Sequence, residues 1–205
     1  MAVLTKSSKE TLKLEKIKKI HEETNSWDHV DLEKLYRHDH FEVVKYCHEH
    51  GCPWSLMTTY WAARFGDLEM LTYCHERGYD WDPEATYWAA CADDMAILVY
   101  CHQNGCPWHI EVTGWATDNS NLEMLKYCHE NGCPWDPKTT QWALQRGNVA
   151  ILEYLYYHEA PFSYEISDRK LHSDSREFMK IYGDAWKSRS FDVPLHWMKP
   201  AKNAV

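Results

Sequence analysis

Three clusters of thiol and imidazole are the groups in this chain best suited to chemistry: Cys47-His48 with Cys52, Cys101-His102 with Cys106, and Cys128-His129 with Cys133. Soft sulfur and nitrogen donors this close together suggest zinc. A structural zinc site needs four ligands converging tetrahedrally, with two short-gap clusters facing each other. The wider pattern argues against that use. The position of Cys47 is filled in turn by Cys74, Cys101, Cys128 and then Leu155, and Tyr79 stands where a second cysteine would be. A ligand does not exchange for leucine, so these thiols read as compact apolar filler, and no metal or cofactor is expected. Catalysis finds as little support. There is no glycine-rich phosphate loop, nucleophile elbow or paired-carboxylate motif, and Cys, His and Asp recur along the chain instead of converging once. The chain reads as non-enzymatic. The column His48, His75, His102 and His129 reads as structural hydrogen bonding to neighbouring loops. A metal, redox or pH sensor is the competing use of the same columns, because histidine charges near neutrality.

The elements that must position these residues repeat at a fixed interval. Cys47, Cys74, Cys101 and Cys128 are each 27 residues apart, and so are Trp54, Trp81, Trp108 and Trp135. Such a period marks a small unit used over and over. Regular repeats cover 41–148 and begin at Phe41, Leu68, Met95 and Leu122. Degenerate ones cover 14–40 and 149–190, with a basic extension before them and a tail after 190.

Each repeat reads as two short helices. The first, as in Leu68 to His75, carries apolar residues at helical spacing and is followed by Gly51, Gly78, Gly105 or Gly132, the residue that tolerates the left-handed end of a helix. A Pro-containing connector follows, and Asp82-Pro83, Asp136-Pro137 and Ser55 are expected to cap the second helix. That helix holds Thr59, Thr86, Thr113 and Thr140, then the pairs Trp61-Ala62, Trp88-Ala89, Trp115-Ala116 and Trp142-Ala143. Gly66 and Gly147 close it, and Asp93 and Ser120 stand at the same place in the other repeats. Near the end, Arg176 to Trp186 predicts a helix with Phe178, Met179, Ile181 and Tyr182 on one side, and the tail from Phe191 is expected to fold back on it.

The run from Thr59 through its two alanines to Gly66-Asp67-Leu68-Glu69 and on to Gly78 resembles the ankyrin repeat. It is most similar to the short form with a Cys-Pro-Trp-Asp junction, associated with large DNA viruses of protists and with oomycetes and brown algae. The resemblance spans roughly 14–190. It implies an all-α solenoid of stacked helix-turn-helix repeats whose job is protein–protein interaction, as a free scaffold or as a component of a large, viral assembly. Ankyrin repeats run to about 33 residues with a β-turn finger, and a 27-residue repeat leaves no room for that finger.

Composition narrows the partner. Hydrophobic residues make up 44% and the chain holds 11 Trp and 13 Tyr, so a packed aromatic core in a single folded domain is expected. The net charge of −9 is uneven: residues 1–20 carry +4, residues 21–165 carry −16 and residues 166–205 carry +3. An acidic body repels a phosphate backbone, so nucleic acid is excluded on the repeat face and a neutral or basic protein partner fits better. The run Lys6 to Lys19, interleaved with Leu12, Leu14, Ile17 and Ile20, reads as the solvated face of an amphipathic helix. With no secretory signal and no apolar stretch of membrane-spanning length, cytoplasm (or a virion) is the expected place, no membrane is involved, and the eight cysteines stay reduced.

Positions that vary between repeats are free to specify a partner. On the second helix these are Met57, Glu84, Glu111 and Lys138; Tyr60, Tyr87, Gly114 and Gln141; and Arg64, Cys91, Asp118 and Gln145. They fall at i, i+3 and i+7, one expected exposed stripe, with Tyr60 and Tyr87 as its aromatic anchors.

Overall fold

A computed structural model describes residues 6–28, 30–37, 41–52, 57–162 and 171–188. The described residues are all-helical, with no strand among them, and none of their helices is long and apolar enough to cross a membrane. The chain divides into two compact units, Met1–Asp82 and Pro83–Val205, where the sequence leads one to expect a single domain. The first unit holds α1 (Lys6–Thr24), α2 (Leu32–Arg37), α3 (Phe41–Glu49), α4 (Met57–Arg64) and α5 (Leu68–Glu76). The second holds α6 (Glu84–Cys91), α7 (Met95–Gln103), α8 (Val112–Asp118), α9 (Leu122–Glu130), α10 (Thr139–Arg146), α11 (Val149–Tyr157) and α12 (Ser173–Ser188).

Helices α3, α5, α7, α9 and α11 start at the residues where the 27-residue register places the repeats. The expected stop is also present. Gly51, Gly78, Gly105 and Gly132 have φ of 82, 83, 83 and 78°. Around each, two backbone bonds close the helix. In the first copy the amide of Gly51 donates to the carbonyl of His48 at 3.2 Å and that of Cys52 to the carbonyl of Cys47 at 2.9 Å. This is the Schellman arrangement, which brings together the side chains three residues before the cap and two after it. The paired cysteines of the sequence are that contact: Cys47 with Cys52, Cys101 with Cys106, Cys128 with Cys133, all six buried. Leu155 with Ala160, both 0% exposed, makes the same pair in the last repeat. The second helices end alike, and there Asp93 and Ser120 take φ of 57 and 59° without being glycine.

Asp or Asn at one position begins each first helix from α5 on. Asp67, Asp94, Asn121 and Asn148 accept, through their side chains, the amides of Met70, Ile97, Met124 and Ile151 at 2.9, 3.0, 2.8 and 3.2 Å. The amides of Asp67, Asp94 and Asn121 themselves close the preceding helix, so the last residue of one stop is the first of the next start. Replacing Asp94 by alanine should therefore lower stability by about 1 kcal/mol, the usual value of an N-cap, measurable as a lower urea midpoint. The expected caps on the second helices are partial. Asp136 Oδ1 accepts the amide of Lys138 at 2.8 Å, whereas Pro83, the residue preceding α6, makes no side-chain cap. Ser55 lies outside the described residues.

Both ends differ from the sequence expectation. Helix α1 runs unbroken from Lys6 to Thr24, so the basic extension and the start of the first weak repeat at Leu14 are one element. It buries Ile17 and leaves Leu12 60% exposed. Helix α12 is longer than Arg176–Trp186, and Ile181 is not on its apolar side but 68% exposed. The packed side carries Ser175, Phe178 and Trp186, which are buried, and Tyr182, whose ring lies 5.0 Å from that of Tyr156. At about 100° per residue these four share one face, and Ile181 points roughly 100° away from it. Arg169, Lys170 and the tail from Phe191 lie outside the described residues.

Candidate partner-binding face

The residues that recur are occupied in holding repeat to repeat. Thr59, Thr86, Thr113 and Thr140 are 0% exposed. Each hydroxyl donates to the carbonyl found 21 residues on, of Asp80, Pro107, Pro134 and Pro161, at 3.2, 3.2, 3.2 and 2.6 Å. The first three also accept the amide found 23 residues on, of Asp82, His109 and Asp136, at 3.2, 3.0 and 2.8 Å. One hydroxyl thus satisfies both a donor and an acceptor of the next connector, groups that would be costly to bury unpaired.

The histidine column makes the second tie. Nδ1 of His48, His102 and His129 is hydrogen bonded to the hydroxyl of Tyr73, Tyr127 and Tyr154, 25 residues on, at 2.7, 2.9 and 2.9 Å. His48 also holds the hydroxyl of Tyr79 through Nε2. The imidazoles of His75, His102 and His129 stack on Trp81, Trp108 and Trp135 with centroids 4.7, 4.6 and 4.5 Å apart. Burial holds the pKa of His48, His102 and His129 below the ordinary histidine value. Arg77 adds to the effect at His48, and His158 adds to it at His129.

The sign follows from linkage. A histidine whose folded pKa lies below its unfolded value contributes fully above the unfolded value, and the contribution is lost as pH falls toward the folded one. The melting temperature should therefore be lower at pH 5.5 than at pH 7.5, and His102→Gln should reduce the difference. Equal melting at the two pH values would refute the assignment.

Cys47, Cys52 and Cys133 are poorly suited to chemistry. Burial pushes Cys47 up to about 12 and raises Cys52 and Cys133, which disfavours the thiolate that acts as nucleophile or ligand. Among the described residues no group of three or more His, Cys, Asp and Glu is arranged to hold a metal ion.

The variable positions are less exposed than the stripe predicted. Glu84 and Lys138 are exposed, while Arg64, Tyr87, Cys91, Glu111, Asp118, Gln141 and Gln145 are half-buried. Met57 opens α4, and its side chain lies outside the described residues. Tyr60 is only 7% exposed. Its ring meets Trp61 edge to face at 4.7 Å, and its hydroxyl accepts from Arg64 Nη1 at 2.7 Å. Tyr87 is likewise braced, against His109 at 5.0 Å and Trp115 at 5.7 Å. The two expected anchors are thus packed within the repeats, because a ring at this position lies across the indoles of the second helices instead of standing free. Stripe residues are also held in ion pairs: Lys138 Nζ is 3.4 Å from Glu111 Oε1 within the stripe, and Arg146 Nη2, beside it, is 2.6 Å from Asp118 Oδ1.

Between α8 and α10 the stripe opens into a small cleft of about 30 Å³. It is lined by Glu111, Gly114, Trp115, Asp118, Asp136, Lys138 and Trp142. Gly114 creates it. In other repeats this position holds Tyr60, Tyr87 or Gln141, but here even a Cβ would overlap the Asp136 carboxylate. That carboxylate is 4% exposed, and burial, reinforced by Glu111, raises its pKa above the usual value against the opposing pull of the Lys138 amide and ammonium. Sequence reasoning singled out Glu111, Gly114, Asp118 and Lys138 but missed Asp136, Trp115 and Trp142. The signal was there in principle: a glycine where three repeats carry a larger side chain, 22 residues before an acid. Comparison with protein-family profiles, curated proteins and solved structures finds no match.

Proposed function

We propose that the chain is an α-solenoid of ankyrin-like helix-turn-helix repeats, without the hairpin finger, that acts as a non-enzymatic scaffold and binds a protein partner through the variable face of its second helices. The observation that carries this reading is a constant frame with a changing surface. The threonine clamps and helix caps recur at the same offsets, while the side chains on one face of α6, α8 and α10 run Glu84, Glu111, Lys138, then Tyr87, Gly114, Gln141, then Cys91, Asp118, Gln145. A frame satisfied by its own hydrogen bonds leaves that face as the part able to differ between proteins without loss of fold. The acidic body, −16 over residues 21–165, favours a basic partner and opposes nucleic acid. We place this activity in the cytoplasm.

The test is capture of a partner by the immobilised chain, identified by mass spectrometry and repeated with Glu84→Arg combined with Gln141→Arg. Glu84 is exposed and Gln141 half-buried on the face, and neither belongs to the caps or clamps. Loss of the partner from a variant of unchanged circular dichroism supports the reading; an unchanged partner would count against it.

A further inference from the structure

The cleft between α8 and α10 is built to a narrower purpose. Asp136 is 4% exposed and its Oδ1 accepts the amide of Lys138 at 2.8 Å, but no protein donor reaches its Oδ2, which lies against Gly114. The other carboxylates of the cleft are in close ion pairs, Glu111 with Lys138 at 3.4 Å and Asp118 with Arg146 at 2.6 Å, while Asp136 feels the Lys138 ammonium only at longer range. Asp136 is thus a largely buried acid whose second oxygen opens on the cleft, and a carboxylate oxygen so placed favours a cationic donor. The walls suit one too. The indoles of Trp115 and Trp142 lie 6.3 Å apart, tilted by 35°, and indole faces attract ammonium groups.

The chain itself shows what belongs on this surface. In α4 the Arg64 guanidinium sits 5.4 Å from the centroid of Trp61. Two repeats on, the same positions hold Asp118 and Trp115, so the in-chain cation is exchanged for an acid. A free volume of about 30 Å³ admits one small group about the size of a water molecule, which fits an ammonium tip and not a planar guanidinium.

Resting on the protein-binding reading above, we propose that this cleft receives the ammonium of a lysine presented by an exposed basic segment of the partner. Asp136 Oδ2 accepts a hydrogen bond from the ammonium, which sits beside the indoles of Trp115 and Trp142. The site therefore selects lysine over arginine and rejects an acylated lysine, which has lost the charge.

The probe is a capped Gly-Lys-Gly-Lys-Gly peptide titrated into the full-length chain at low salt, with the indole N–H resonances followed by NMR and assigned by single Trp→Phe substitutions. The signals of Trp115 and Trp142 should shift together. The same peptide carrying acetyl-lysine should give no shift, and an arginine version should bind several-fold more weakly. Asp136→Asn, which keeps an acceptor for the Lys138 amide, should weaken the lysine peptide tenfold or more without lowering the melting temperature. Equal shifts with acetylated and free lysine, or shifts spread over other indoles, would overturn the proposal, and this comparison needs no variant to fold. Undiminished binding by folded Asp136→Asn would overturn it as well. If the lysine peptide fails while Glu84→Arg with Gln141→Arg still abolishes partner capture, the lysine site falls and the scaffold reading stands.

Discussion

Replacing Trp186 by alanine is expected to lower the stability of the second unit by about 3–5 kcal/mol, the range for deleting a large aromatic from a packed core. Trp186 is 0% exposed. Its indole lies 5.7 Å from Tyr156, 5.4 Å from Phe162 and 6.0 Å from Phe178, centroid to centroid. It also donates from Nε1 to the carbonyl of Ala160 at 3.2 Å. Alanine there loses the ring contacts and strands a buried carbonyl. Trp186→Phe separates the two effects: it keeps an aromatic ring and removes the donor, so about 1–3 kcal/mol should remain. Ile181→Ala, on the exposed side of the same helix, should change stability by less than about 0.5 kcal/mol. Urea unfolding followed by circular dichroism measures all three. A large effect at Ile181, or none at Trp186, would mean that the helix packs by a different face.

The second large effect is expected at Thr113. Thr113→Val preserves the shape of the side chain and removes only the hydroxyl, which here makes three contacts. It donates to the Pro134 carbonyl at 3.2 Å, accepts the Asp136 amide at 2.8 Å, and lies 3.2 Å from the Thr139 hydroxyl. Leaving a buried amide and a carbonyl unpaired costs more than a typical hydrogen bond returns, so a loss of about 2–4 kcal/mol is expected. Thr113→Ser retains the hydroxyl and loses one methyl group, and should cost about 1 kcal/mol. If valine and serine destabilise equally, the role of the residue is packing and not the clamp.

The local frame was legible because its signals are local. A glycine after an apolar stripe needs only its own backbone to end a helix, and Gly51, Gly78, Gly105 and Gly132 do so. Helix starts at Phe41, Leu68, Met95, Leu122 and Val149 followed from the same spacing. The capping column Asp67, Asp94, Asn121 and Asn148 stands in the sequence at equal intervals, but attention to Asp-Pro drew the reading to the second helix of each pair, where Asp136 accepts the amide of Lys138. What could not be read was how far neighbouring side chains cover one another. Whether Tyr60 stands free depends on Arg64 and Trp61 closing over it. Whether position 114 is a surface or a hole depends on the acid of the following connector turning toward it. Variation alone marks a position as unconstrained by the backbone and says nothing of how far its side chain is covered.

The threonine and histidine ties that recur from repeat to repeat span 21, 23 or 25 residues, less than one period. A gene of this kind can therefore be lengthened or shortened by recombination in whole steps with those ties kept. If residues 95–121 were excised, Asp94 would cap the helix that begins at Leu122, and Thr86 would meet the carbonyl of Pro134 and the amide of Asp136 at its old offsets. Two misfits would follow: an acid facing Tyr87 where it now faces Gly114, and Cys91 in the place of Asp118, the present partner of Arg146. Heredity can thus copy the scaffold freely, while the cleft survives only if both of its halves are inherited side by side.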